Sequence, residues 1–314
     1  MSKVIAIGPY SDSDAAALKR DFDALRLPGL AAIADLSEDQ RHEVRAVAFM
    51  GHDPFGGATM DLLPGLRAIA NFGVGYDAID VAAATARGIR VTNTPEVLND
   101  DVADLAVAMW IAQARDFEIA IQNARSGDWG RGVRLPLARK ASGRRVGVLG
   151  LGRIGREIAD RLAGFKCEIH YQSRSRKDTP AGWTYHADPA DLARAVDDLI
   201  VAVVGGPETE GFVSAEVLAA LGPDGVIVNI SRGSVIDEEA LIGALQSGAI
   251  RAAALDVFRG EPQIDPRLLA LPNILPLPHI GSATVETRAA MGKLMCDNLI
   301  AYFSGKPVLT RVEV

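Results

Sequence analysis

The chain has 314 residues, enough for about two domains with substantial cores. Its net charge of -7 argues against a broad basic surface for nucleic acid, and no apolar run reaches the length of a membrane span. Two cysteines without metal-ligand spacing, and an N-terminal apolar run too short for a signal segment, point to a cytoplasmic protein with no nucleic-acid or membrane partner.

Residues 4–8 (VIAIG) form a short apolar run that ends in Gly-Pro, which predicts a buried parallel strand. Residues 44–50 (VRAVAFM), 66–71 (LRAIAN) and 89–92 predict three more, with a short helix over 81–87 stopped by Gly88. From residue 99 one long helix is expected, with Asp100 and Asp101 at its start, Arg125 near its end and Gly127 as its stop. Residues 131–145 are polar and broken by Gly and Pro, so they read as a connector. A second strand–helix series follows, with six strands in RVGVLG, CEIHYQ, DLIVAVV, GVIVNI, AAALDV and NILPLP. Six is the number a complete dinucleotide fold needs. Residues 285–303 are again helical. The expected fold is α/β, with two doubly wound parallel-sheet domains. Residues 1–98 and 286–314 form a flavodoxin-like substrate domain, and a Rossmann dinucleotide-binding domain, 99–285, is inserted in it.

The segment Gly150-Leu151-Gly152-Arg153-Ile154-Gly155 is GxGxxG, placed directly after an apolar strand and before a helical pattern. Glycines there allow the tight turn, the approach of a pyrophosphate and the packing of helix on strand. The fingerprint then requires an acid at the end of the second strand to hold a ribose 2′-hydroxyl. That strand runs instead into Ser173-Arg174-Ser175-Arg176-Lys177. A carboxylate would repel a 2′-phosphate, whereas Ser173, Arg174 and Ser175 suit one. NADP(H) is therefore the preferred cofactor, with NAD(H) still possible; Arg176 and Lys177 also fit a solvated basic loop.

Three loops after later strands carry candidate chemistry: Asn229-Ile230-Ser231-Arg232, Asp256 to Glu261, and Pro278-His279-Ile280-Gly281. Ligands of open α/β sheets sit beyond the carboxyl ends of strands, so Arg232, Glu261 and His279 are expected to converge. The alternatives are a surface cation, a turn residue before proline and a satisfied core histidine, in that order.

With these motifs the chain resembles the D-2-hydroxyacid dehydrogenase family, within it the NADPH-dependent glyoxylate/hydroxypyruvate and hydroxyphenylpyruvate reductases. The resemblance runs nearly end to end, through NFGVGYDAID (71–80), GIRVTNTPEVLNDDVADLA (88–106), GRRVGVLGLGRIG (143–155), NISRGSVIDEEAL (229–241), ALDVFRGEP (254–262) and LPHIGSATVETR (277–288). It implies reduction of a small 2-oxo acid to the D-2-hydroxy acid. Arg232 would grip the substrate carboxylate and polarise its carbonyl. His279 would be the proton donor, oriented by Glu261. Backbone N–H groups of Val74 and Gly75 would bind the carboxylate, and Asp256 would accept from the nicotinamide carboxamide. Leu151 to Ile154 would line the pyrophosphate, and Ile230 and Ser231 would pack near the ring. Val204, Thr209 and Gly281 complete the implied coenzyme contacts.

Other positions stay open at this level. Met50 and His52 are expected at the substrate, although His52 reads equally as a loop histidine. Trp129 lies in what resembles a dimer arm, which implies a homodimer, or it packs a helix end. His42, His170 and His186 read as structural or surface, and no metal site is expected. One departure stands out: the family usually has Pro-Leu-Thr where this chain has Val204-Gly205-Gly206. Without the threonine hydroxyl, a coenzyme contact from position 206 is not expected. Two alternatives to the reductase remain: an NAD-linked dehydrogenase of the phosphoglycerate type, and a dinucleotide-sensing protein without turnover.

Overall fold

The apolar runs of the N-terminal segment become short parallel strands: β1 (Val4–Ile7), β2 (Leu25–Leu27), β3 (Ala46–Phe49), β4 (Ala68–Asn71) and β5 (Arg90–Thr92). Their order is β2-β1-β3-β4-β5, and every pairing is parallel. This is the flavodoxin-like order, with its switch point between β1 and β3. Every residue of β1, β3 and β4 is buried, as strands covered on both faces require. The three-residue β2 is mostly exposed, and its pattern LRL carries no strand signal. The helix Asp12–Phe22, also not expected, starts at Ser11, whose hydroxyl accepts the Asp14 N–H. This computed structural model describes residues 3–313, so the first two residues of the N-terminal run, and Val314, lie outside the described residues.

Two compact units divide the chain. One runs to Leu98 and resumes at Thr284; the other is Asn99–Ala283. The resumed segment opens with one helix, Val285–Phe303, capped by the Thr284 hydroxyl on the Thr287 N–H, and its following residues bond back to the end of β5.

The second unit holds β6 (Arg145–Leu149), β7 (Glu168–Gln172), β8 (Thr184–His186), β9 (Asp198–Val201), β10 (Val226–Asn229), β11 (Ala252–Leu255) and β12 (Ile274–Pro276). Their order is β12-β11-β10-β9-β6-β7-β8, all parallel, which is a Rossmann sheet extended by one strand. The sheet thus has seven strands rather than the expected six. The strand that was not expected is β8, a three-residue, partly exposed edge too short for a periodic signal, while β12 is the one that extends the six-strand order.

The long helix expected from residue 99 is also corrected. It breaks into Asn99–Ala114 and Phe117–Arg125 at Asp116, whose φ of 49° is left-handed. The Asp116 carboxylate takes both its hydrogen bonds from Arg251 Nη2, at 2.8 and 2.9 Å. In the first half Trp110 is fully buried and donates its indole N–H to Asp198 at 2.8 Å. Arg144 closes the same carboxylate from the other side. A buried carboxylate with three such donors is satisfied, and it ties the helix to the sheet. No described helix is long and apolar enough to cross a membrane.

His170 and His186 face each other across β7 and β8, with rings stacked at 5.2 Å and Nδ1 of His170 2.9 Å from Nε2 of His186. Burial pushes both pKa values below the ordinary histidine value, and the neighbouring His186 lowers His170 further. Folding therefore favours the neutral rings. Their contribution is intact above the unfolded value of about 6.5 and is lost as pH falls below it. We expect the melting temperature to fall between about pH 7.5 and 5.5, and His186→Gln to flatten that fall. An unchanged pH slope in the variant would remove the pair as its source.

Candidate active site

The glycine turn follows β6. Gly150 has φ +98°, and a Cβ there would stand 2.7 Å from Val203 N, so the first glycine is required by backbone and neighbour alike. A Cβ on Gly155 would overlap the Gly150 carbonyl, which lets the helix Arg153–Gly164 press onto the turn. Around Gly152 there is open space, and no side chain caps the helix start. Its first N–H groups are therefore left for an anion, with a favourable dipole. Leu151 is buried beneath the turn, Ile154 is half-buried, and Arg153 is exposed.

The loop after β7 is self-braced. Ser173 is buried and its hydroxyl donates to Ser175 O at 2.6 Å. Tyr185 Oη donates to Ser173 O, and the Arg176 guanidinium lies over the Tyr185 ring. Arg174 and Ser175 are exposed, and no carboxylate appears in the loop before Asp178.

Beyond β10, the buried Asn229 folds back on its own loop. Its Oδ1 accepts the Ser231 N–H at 3.0 Å, and its Nδ2 donates to Arg232 O at 3.0 Å. This fixes the backbone that carries Arg232. The Arg232 Nη1 donates to Ser231 O at 2.8 Å. Gly233 lies so close to the Phe258 carbonyl that a Cβ would overlap it, so this loop packs directly on the next one.

That next loop carries Glu261. Its Oε1 accepts the Phe258 N–H at 2.8 Å, and its Oε2 stands 2.7 Å from His279 Nδ1. Glu261 is an acceptor, so Nδ1 is the donating nitrogen and Nε2 is the one turned away from the carboxylate. His279 has φ 54°, uncommon for a non-glycine residue, and so an identifiable point of strain. The strained turn is held by Asp256, which is 1% exposed. Its two oxygens accept the N–H groups of Ile280 (2.7 Å) and Gly281 (2.8 Å). Burial raises the Asp256 pKa, while these two N–H groups pull it back down.

The remaining implied coenzyme residues lie around the same strand ends. Ile230 is half-buried and Ser231 buried; Ser231 Oγ donates to Val203 O. Val204 is 74% exposed. Thr209 turns inward, its hydroxyl donating to Val204 O at 2.7 Å and also set towards Gly206 O.

In the other unit, the turn after β4 is pinned by its carbonyls. Asn71 Nδ2 donates to Gly73 O and Gly75 O, and Asn93 Nδ2 donates to Val74 O. The N–H groups of Val74 and Gly75 have no acceptor among the described residues. Two adjacent unpaired N–H groups on a fixed turn suit an anion. Met50 is half-buried after β3, and His52 is exposed.

Asn71, Asn93 and Asn229 are the residues that sequence reasoning missed. Their signal was an asparagine at or just after the end of a strand, easily taken for an ordinary turn residue.

The sequence profile of the D-isomer specific 2-hydroxyacid dehydrogenase NAD binding domain matches residues 107–281. The chain is 41% identical over 309 residues to hydroxyphenylpyruvate reductase of Plectranthus scutellarioides, covering 98% of both chains. It is 42% identical, with the same coverage, to a glyoxylate/hydroxypyruvate reductase of Arabidopsis thaliana. Among solved structures, the NADPH-dependent glyoxylate/hydroxypyruvate reductase of Sinorhizobium meliloti, in complex with NADP and malonate, superposes with a TM-score of 0.93. It is 44% identical, and the match covers 99% of this chain and 97% of that one. The strand order, the glycine turn and these likenesses agree: the chain belongs to the D-isomer specific 2-hydroxyacid dehydrogenase family.

Proposed function

We propose that this protein reduces a small 2-oxo acid of the glyoxylate or hydroxypyruvate type to its D-2-hydroxy acid, with NADP(H) as the preferred coenzyme and NAD(H) as the weaker one. The observation that carries the reading is the imidazole of His279 held by Glu261 at 2.7 Å, on a strained turn anchored by Asp256.

The glycine turn fits a dinucleotide. Gly150 to Gly155, with the uncapped helix start, would take the pyrophosphate, and Arg174 with Ser175 would take a 2′-phosphate. Ser173 supports this by bracing the loop. Ile230, Ser231, Val204 and Gly281 would flank the nicotinamide; each Asp256 oxygen keeps a second lone pair for a carboxamide. A bound nicotinamide coenzyme supplies the hydride.

The chain's own groups handle the acid and the proton. Arg232 grips the carboxylate and polarises the C2 carbonyl with its forked donors. In the other unit, the N–H groups of Val74 and Gly75, which have no acceptor among the described residues, would suit a carboxylate, and Met50 and His52 would be that unit's side chains toward the substrate. With Nδ1 engaged by Glu261, Nε2 of His279 gives its proton to the carbonyl oxygen, and in the reverse direction it takes one from the hydroxyl. The imidazolium that donates is balanced by the adjacent carboxylate.

The exposed apolar residues Phe117, Ile119, Ile121, Trp129 and Leu137 support a homodimer built on this segment, since a monomer rarely shows so many together. Light scattering should give a dimer, which Trp129→Asp combined with Leu137→Asp breaks; a wild-type monomer at micromolar concentration would end that proposal.

For the proton donor, His279→Gln should lower kcat by about 10²–10⁴-fold while NADPH still binds. Near-wild-type turnover in that variant would exclude His279. For the coenzyme, the wild type should show higher kcat/KM with NADPH than with NADH. Arg174→Asp should reduce that ratio by at least about tenfold, through loss of a charge-assisted bond and gain of repulsion. A wild-type preference for NADH would overturn the coenzyme assignment.

A further inference from the structure

The pair Gly205-Gly206, where the family usually carries side chains, plays no part in the proposal above. Its two glycines have different causes. Gly206 has φ +150°, and nothing lies within 4 Å of where its Cβ would stand, so only its backbone conformation calls for glycine. Gly205 has no left-handed φ. Its backbone would accept alanine. A Cβ there, however, would overlap Arg232 Cγ and stand 3.1 Å from Arg232 Cβ and 3.7 Å from Cδ. All three of the nearest atoms belong to one side chain, that of Arg232.

Neither loop is able to retreat freely. The Arg232 backbone is fixed by Asn229 through its carbonyl. The facing loop is tied at Val203 by the Ser231 hydroxyl, and at Val204 and Gly206 by the Thr209 hydroxyl. The overlap involves the root of the arginine stem, not its mobile end. A side chain at 205 would therefore be accommodated by turning Arg232 about its Cα–Cβ bond, which swings the guanidinium by several ångströms. We infer that Gly205 is a positioning residue. Its bare Cα is the surface across which the Arg232 stem lies, and it sets the direction from which the guanidinium meets a substrate carboxylate. This rests on the reading of Arg232 as the carboxylate clamp. A chain with a side chain at this position has to bring its arginine in by another rotamer, so the glycine belongs to this form of the site.

The test is a double-mutant cycle on the full-length protein, with glyoxylate as substrate and NADPH titrated by fluorescence. Gly205→Ala should lower kcat/KM by about 10–100-fold, the cost of an ångström-scale misplacement of a clamp. It should also weaken inhibition by oxalate, while the Kd for NADPH stays within about threefold, because Arg232 and not the coenzyme site is displaced. In an Arg232→Ala background the same glycine change should cost less than about twofold, since the partner it displaces is gone. Equal losses in both backgrounds, or a matching loss of NADPH affinity, would make Gly205 a mere loop residue and overturn the inference. Wild-type kinetics in Gly205→Ala would overturn it as well, with the function above intact provided Arg232→Ala is strongly impaired but measurable. Near-wild-type kcat/KM in Arg232→Ala would remove the clamp itself, and the inference with it.

Discussion

The candidate site depends on one recurring arrangement: a buried amide or carboxylate side chain, at or just past the end of a parallel strand, that hydrogen-bonds the loop leaving it. Asn71 does this for the turn of Val74 and Gly75, Asn229 for Arg232, and Asp256 for the turn that carries His279. The cause lies in the sheets. Strands buried on both faces leave only their ends for ligands, and the chain there has departed from the ladder. Its polar backbone groups need partners, and an unsatisfied buried one costs about 1–3 kcal/mol. A short polar side chain within the core supplies the partner and at the same time fixes the loop.

Fixing the loop matters because the conformations are not relaxed ones. A left-handed histidine costs on the order of 1–3 kcal/mol, and it persists only where its surroundings over-determine it. At His279 the surroundings are two bonds that the following N–H groups donate to Asp256, and one that the ring Nδ1–H donates to Glu261. Glu261 is itself set by the Phe258 N–H, and Phe258 is packed against Gly233 beside Arg232. The three groups taken for the chemistry are thus linked through contacts of their own loops. Orientation is supplied before any substrate arrives, which is where much of a catalytic advantage resides.

What was legible in the sequence follows from this physics. The glycine turn was readable because Gly150 and Gly155 occupy places no other residue fits, so their spacing survives as a pattern. Arg232, Glu261 and His279 were readable because they sit in motifs after apolar strands. The clamps at Asn71 and Asn229 were not, since an asparagine two positions before a glycine or serine looks like turn chemistry, and only burial separates the two. The helix break at Asp116 was hidden because its partner Arg251 is 135 residues away and both halves have helical composition. The edge strand β8 was too short to carry a period. Gly205 was noticed as a departure, but its reason is a contact with Arg232, 27 positions later and visible only in three dimensions.

The order of the second sheet also separates two properties that a sequence presents together. The loop with Ser173, Arg174 and Ser175 leaves β7, on one side of the β6–β9 switch point, and the loops with Arg232, Glu261 and His279 leave β10, β11 and β12 on the other. Neighbouring strands are about 4.8 Å apart, so three steps from β7 to β10 amount to roughly 14 Å, and five steps to β12 to about 24 Å. Groups that far apart, without shared partners, act nearly additively. On the proposed reading, charge at Arg174 would act on the coenzyme phosphate without disturbing the imidazole or the guanidinium. The loop from 203 to 206 is the exception, because it touches the first glycine of the turn on one side and Arg232 on the other. Through this segment a change in the glycine turn would be felt at Arg232.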